Sequence, residues 1–243
     1  MLAIILAGGR GERLRPLTET TPKVLLPVQG RALVEHVIEL LVPAGVDEIV
    51  LATAYLGDKV RQHFAGRNFG VSLRLLDEGV PRGTAGPLLM LRELGQIPTD
   101  DFFLVNGDNL FNLNFSDLLQ FHRSHPGAAT IALTAAADPS SFGVARLDGS
   151  RIVEFVENHP AARRRATSLT QATMCSARLC SKRCRSSHTA CWSTTSGRPW
   201  QRPGGYTRTA GPGSGLIREP LSSTSGCSAS GAAVRMVRYD RTV

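Results

Sequence analysis

A five-residue apolar run, Leu2 to Leu6, feeds directly into Ala7-Gly8-Gly9-Arg10-Gly11, and this junction sets the terms for the whole chain. Consecutive apolar residues suit a strand covered on both faces, which is the habit of parallel sheets. Glycines placed straight after such a strand let the backbone turn and bring its N–H groups close to a ligand. Arg10, Arg13, Arg15 and Lys23 follow and add positive charge. A strand, a glycine turn and cationic side chains together make a cradle for a polyphosphate. Two sharper motifs fail. Gly9-Arg10-Gly11 supplies the start of a dinucleotide fingerprint, but Leu14 stands where its third glycine belongs, and no Lys-Ser or Lys-Thr completes a P-loop. A purely structural turn stays open at this point.

The patterning continues to residue 157. Leu33, Val37, Leu40, Leu41 and Ala44 recur at helical spacing, and Gly45 ends that helix. Glu48 to Thr53 reads as a buried strand, and Asp58 to Phe64 as a short helix capped by Asp58. Val71 to Leu76 is a strand. Gly83 to Leu94 is a helix opened by Gly83-Thr84-Ala85-Gly86-Pro87, with the proline in its first turn. Phe102 to Asp108 is a buried strand with a polar tip, Ser116 caps a helix to Ser124, and Ala129 to Ala135 is a further strand. Val144–Leu147 and Ile152–Val156 form a hairpin around Asp148-Gly149. Strands alternating with helices predict an α/β fold, a Rossmann-like and mostly parallel sheet with helices on both faces. Ligands bind such sheets beyond the carboxyl ends of the strands, where Gly8-Gly9 and Asp108 both fall.

Four stretches in order resemble the sugar-1-phosphate nucleotidylyltransferases (NDP-sugar pyrophosphorylases). Leu6-Ala7-Gly8-Gly9-Arg10-Gly11-Glu12-Arg13-Leu14, with Pro22-Lys23, is similar to that family's L-A-G-G-x-G-T-R-L and P-K segments, Glu12 replacing the usual threonine. Gly83-Thr84-Ala85-Gly86 resembles the loop that contacts the nucleobase. Val105-Asn106-Gly107-Asp108 resembles the segment whose aspartate holds magnesium. Phe142-Gly143 and Phe155-Val156-Glu157 resemble the sugar-binding elements. The resemblance implies a nucleotide-diphospho-sugar transferase type of sheet, Mg²⁺ as cofactor, and a nucleoside triphosphate and a sugar 1-phosphate as substrates, GTP and mannose 1-phosphate being favoured. It implies that Arg13, Lys23 and Asp108 act on the phosphates, with Asp108 as metal ligand. Leu6 to Gly11, Glu78 and Gly83 to Ala85 would bind the nucleotide, and Asn106, Gly143 and Glu157 the sugar. Glu78 stands where many relatives have a base-contacting glutamine. A turn aspartate, a surface lysine and a strand-end glutamate are the plain alternatives for Asp108, Lys23 and Glu157.

Past Glu157 the text changes. Residues 1–157 carry 14 Lys and Arg against 18 Asp and Glu, a net charge of −4; residues 158–243 carry 14 against 2, a net charge of +12. Only eight of those last 86 residues are Leu, Ile, Val or Phe, too few to fill a core, so 158–243 reads as a disordered basic tail. A one-nucleotide loss near codon 158 explains the change better. In the displaced frame the codons of Gly213 to Leu221 permit F-W-F-D-T-G-T-P, and those of Thr173 to Cys180 permit D-V-L-G-P-A-L. The first matches the W-x-D-x-G element that the resemblance implies, with its second metal aspartate. On this reading 1–157 is an incomplete catalytic domain and 158–243 is out-of-frame text.

The tail then needs no chemistry of its own. Cys175, Cys180, Cys184, Cys191 and Cys227, with His188, lack the paired spacing of a zinc site. His36, His63, His122 and His125 show no ligand spacing either. The arginines would hold polyanions without specificity, so no specific nucleic-acid partner is expected. No apolar run reaches the length of a membrane span, and Leu2–Leu6 is too short for a secretory signal, so a cytoplasmic protein without a membrane partner is expected; an oligomer is compatible with the sequence.

Overall fold

Both faces of the first strand are covered, as its unbroken apolar sequence requires. In the computed structural model, which describes residues 1–110, 112–125, 129–134, 143–157, 169–175 and 234–239, β1 (Leu2–Leu6) sends Ala3 and Ile5 into one core and Ile4 into another. A small ribbon follows, β2 (Pro27–Val28) with β3 (Arg31–Ala32). β4 (Glu48–Thr53) repeats the division, with Ile49 and Leu51 on one face and Val50 on the other. β5 (Ser72–Asp77) lies at the edge, and β6 (Phe102–Asn106) sets Phe103 and Val105 opposite Phe102 and Leu104. After a short α1 (Leu17–Thr20), helices α2 (Leu33–Leu41) and α3 (Gly57–Phe64) cover the first face. α4 (Gly86–Glu93) covers the second with Leu88 and Leu91, and α5 (Phe115–Ser124) returns to the first with Phe115 and Leu118. Helices on both faces are thus observed.

The strand order is β5-β4-β1-β6, all parallel, then β10 (Leu169–Cys175), β7 (Ala129–Thr134), β11 (Val234–Tyr239), β9 (Arg151–Glu157) and β8 (Gly143–Asp148). β10 is antiparallel to β6 and to β7, and β11 is antiparallel to β7, so this half of the sheet is mixed. Two segments beyond residue 157 therefore join the sheet as strands, where the composition gives no strand pattern. The rest of 158–243 lies outside the described residues, together with Cys180, Cys184, Cys191, Cys227 and His188.

Local starts differ from the sequence reading in three places. Asp58 does not cap α3: Leu56 holds the cap position with φ 52°, and Asp58 sits inside the first turn, where its charge favours the helix dipole. Asn114, not Ser116, caps α5, its Oδ1 accepting from the Ser116 N–H at 2.9 Å and the Asp117 N–H at 3.4 Å. An Asn two residues upstream reaches the free N–H groups that a serine inside the first turn cannot. α4 begins at Gly86, so Gly83 to Ala85 remain a loop ahead of the helix, and Pro87 takes the first turn as expected.

One glycine fixes how closely β1 and β6 approach. The Gly107 N–H donates to the Leu6 carbonyl at 2.9 Å. A Cβ at Gly107 would lie 2.9 Å from Ile5 Cγ2, 3.1 Å from the Leu6 oxygen and 3.3 Å from Val24 Cγ1. Backbone and a packed core leave no room to yield, so Gly107→Ala destabilises the fold by about 1–3 kcal/mol. Denaturant unfolding of the two chains measures the difference, and equal midpoints would refute it.

Candidate active site

The carboxyl ends of β1, β4 and β6 meet at one rim. The Ala7 N–H donates to the Ala52 carbonyl at 2.7 Å, which carries the chain straight from β1 into the glycine turn. Gly8 rests against Ala54; a Cβ there would come within 3.2 Å of the Ala54 Cβ and 3.6 Å of Glu78 Oε1. Gly9 has open space around it, which leaves the backbone accessible. Gly11 turns with φ 62°, a conformation that glycine takes without strain. Its carbonyl accepts the Thr18 hydroxyl at 2.9 Å, and a Cβ would strike Thr18 Cγ2 at 2.9 Å. The next turn, Glu12–Leu14, leaves Arg13 exposed, and Arg10 lies 5.9 Å from the ring centre of Tyr55. Arg13 has no ion pair among the described residues. The turn thus leaves the Gly9 backbone open and carries two exposed arginines, Arg10 and Arg13.

Lys23 and Asp108, 85 residues apart, meet across it. Lys23 Nζ donates to Asp108 Oδ2 at 2.6 Å, and both side chains are about 30% exposed (30% and 31%). The pair is close enough to bond and open enough for a ligand to reach. Asp108 thus pairs with a cation, the lysine ammonium. Among the described residues no three His, Cys, Asp or Glu side chains gather to hold a metal. A single hard carboxylate that leaves the other positions to phosphate oxygens and water suits Mg²⁺ in a nucleotide site. The residues therefore fit the expected ion, with the nucleotide supplying the remaining ligands.

Glu78 joins the glycine turn to the loop before α4. Its N–H donates to the Thr53 carbonyl at 2.8 Å. Its Oε2 is buried without a hydrogen-bond partner among the described residues and lies against Gly86, where an added Cβ would displace the carboxylate. Burial pushes the Glu78 carboxyl above its ordinary value, against a smaller opposing effect of the Arg82 N–H and guanidinium. The folded chain thus holds this proton more tightly than the unfolded chain. The associated stability is complete at acid pH and is lost as pH rises through the elevated folded value. Glu78→Gln is accordingly more stable than the parent at pH 7, and the advantage disappears below about pH 4, where both carry a neutral side chain. Thermal unfolding at both pH values checks the sign.

The sugar-side residues divide. Asn106 pairs in register with Leu6 at the same rim and is half-buried. Gly143 and Glu157 face each other in the β8–β9 hairpin, with three strands between it and β6. β9 runs opposite to β6, so its carboxyl end and the start of β8 fall at the far rim of the sheet. The structure does not bring this pair to the cradle, because strands of the 158–243 region stand between. Phe142 lies outside the described residues. The histidines make structural contacts: His36 bonds the Val28 carbonyl, His63 the buried Glu35, His122 the Thr130 hydroxyl and His125 the Phe121 carbonyl. Sequence reasoning missed the Thr18 hydroxyl, which bonds the Gly11 carbonyl; three threonines (Thr18, Thr20 and Thr21) lie between the turn and Pro22, and nothing in the spacing singled out Thr18.

A glycine turn and an Asp–Lys pair thus meet at the carboxyl rim of the parallel strands. The sequence names the class: residues 2–172 match the nucleotidyl transferase family, and the chain belongs to it. It is 39% identical over 161 residues to a mannose-1-phosphate guanylyltransferase catalytic subunit beta of Danio rerio, and 40% identical to that of Dictyostelium discoideum. Each match covers 65% of this chain and 45% of the relative, so the chain spans under half the length of these relatives. A Bacillus anthracis structure assigned to a glucose-1-phosphate thymidylyltransferase, in complex with sucrose, superposes with a TM-score of 0.65 at 28% identity, covering 74% of each chain. HddC of Yersinia pseudotuberculosis, complexed with GMP-PN, shares the fold with a TM-score of 0.58 at 21% identity, over 74% of this chain and 79% of that one. No helix among the described residues is long and apolar enough to cross a membrane.

Proposed function

We propose that the cradle belongs to an enzyme that transfers a nucleotidyl group from a nucleoside triphosphate to a sugar 1-phosphate, with GTP and mannose 1-phosphate as the preferred pair. The observation that carries this reading is the Lys23–Asp108 pair beside the glycine turn. An oxygen of the sugar phosphate attacks the α-phosphorus in line; the new P–O bond forms as the bond to the β-phosphate oxygen breaks, and pyrophosphate leaves. A phosphate oxygen is already anionic at neutral pH, so no protein base is needed, and the residues work by alignment and charge. Gly8 to Gly11 offer backbone N–H groups to the triphosphate, and Arg10 and Arg13 neutralise it. Lys23 meets the reacting phosphate as a point charge. Asp108 would hold Mg²⁺, which when bound neutralises phosphate charge. Leu6 and Ala7 seat the turn, Glu78 with Gly83, Thr84 and Ala85 lines the base, and Asn106 reaches the sugar. Pyrophosphate release across the four nucleoside triphosphates and several sugar 1-phosphates tests the assignment; equal rates with every pair would overturn the preference.

A second reading concerns this 243-residue chain itself. The family match stops at residue 172, and Gly143 and Glu157 lie at the far rim. Both favour a nucleotide-binding remnant without turnover, its sugar pocket and second carboxylate displaced by the change of frame.

A further inference from the structure

Resting on the assignment of Asp108 to the cation, we propose that Lys23 holds the Asp108 carboxylate until ligand arrives, so that cation and triphosphate are admitted only together. Lys23 then passes from the carboxylate to the phosphate as both arrive.

The geometry supports this in three ways. The ion pair at 2.6 Å occupies Oδ2, one of the two oxygens of the Asp108 carboxylate. Among the described residues each partner has this one ion pair. The base of the lysine stem lies beside the glycine turn, since a Cβ on Gly11 would come within 3.1 Å of Lys23 Cβ. The four-carbon stem can therefore swing its ammonium group from the carboxylate toward a phosphate seated on that turn. Charge decides the rest. An aspartate neutralised by an ammonium group offers a divalent cation no net attraction, and a cation arriving alone must evict a bonded lysine. A triphosphate arriving with the cation offers the lysine a new anion, so nothing is left unpaired. By linkage, each ligand then raises the affinity for the other.

Mn²⁺ binding to the full 243-residue chain, followed by electron paramagnetic resonance without sugar 1-phosphate, tests the proposal. The parent binds Mn²⁺ alone weakly, and GTP strengthens the binding. Lys23→Met binds Mn²⁺ alone about tenfold more tightly, within the usual span of coupling between sites. Lys23→Arg, which keeps a cation on Asp108, remains weak. Equal Mn²⁺ affinity in the parent and Lys23→Met overturns the latch while leaving the metal assignment standing. No Mn²⁺ binding in any chain, even with GTP, overturns the metal assignment and the latch together. Acetylation of Lys23 in the parent, read against Lys59 by mass spectrometry, needs no variant. Mn²⁺ alone leaves the Lys23 rate unchanged; a severalfold rise with Mn²⁺ alone shows that the metal displaces the lysine unaided and sinks the proposal.

Discussion

Restoring one base near codon 158 turns a chain without turnover into one that releases pyrophosphate from GTP and mannose 1-phosphate, with a gain of about a thousandfold or more. The size follows from what the restored frame returns. It permits W-F-D where this chain reads Gly213 to Leu221, and so a second carboxylate at the phosphates. Charge stabilisation of transferring phosphates is worth several kcal/mol, and each 1.4 kcal/mol is tenfold in rate. It also changes what lies between β6 and the β8–β9 hairpin. β10 stands in the middle of the sheet, yet its sequence, Leu169-Thr-Gln-Ala-Thr-Met-Cys175, is polar for a strand bounded on both sides. In the displaced frame its last codons permit D-V-L, which suits that place better. Sequencing the coding DNA and assaying both chains side by side checks the prediction. Stop codons in the displaced frame, or equal turnover by the two chains, would overturn it.

In the restored chain, Asp108→Ala lowers kcat by about a thousandfold and removes the dependence of GTP binding on Mg²⁺. The argument rests on position. Asp108 follows the tip of β6, two residues beyond Asn106, and Gly107 locks that tip to β1 through the Leu6 carbonyl. The carboxylate is therefore held by the sheet itself, and among the described residues it belongs to no cluster of three or more His, Cys, Asp or Glu side chains that could hold a metal. Loss of the side chain also leaves Lys23 unpaired, so GTP alone binds at least as well as before. Stopped-flow or steady-state rates, together with calorimetric titration in the presence and absence of Mg²⁺, separate the two effects. A variant that kept its rate and lost only affinity would show that Asp108 positions the nucleotide without acting on the reacting phosphate.

The parallel half of the fold was legible because its strands announce themselves. Leu2–Leu6, Glu48–Thr53 and Phe102–Asn106 are apolar on both faces, and the residues between them carry helical spacing. The convergence of Gly8-Gly9 with Asp108 followed from topology alone. Other features rest on contacts that no spacing encodes. Asn114 outcompetes Ser116 as a cap because its side chain reaches back over the helix start. Glu78 meets Gly8 and Gly86 only once β4 and β5 are paired. The sugar side was the least legible in structural terms. Gly143 and Glu157 were placed by resemblance, and strands from beyond residue 157 set them at the far rim.

The cradle's parts come from β1, β4 and β6, so a bound nucleotide clamps together segments a hundred residues apart in the chain. Ligand that binds only the folded form adds to its stability by mass action, about 2.7 kcal/mol at a hundredfold excess over Kd. If the proposed nucleotide site holds, a polypeptide without turnover would still answer to its nucleotide pool, resisting proteolysis when the nucleotide is plentiful and decaying when it is scarce.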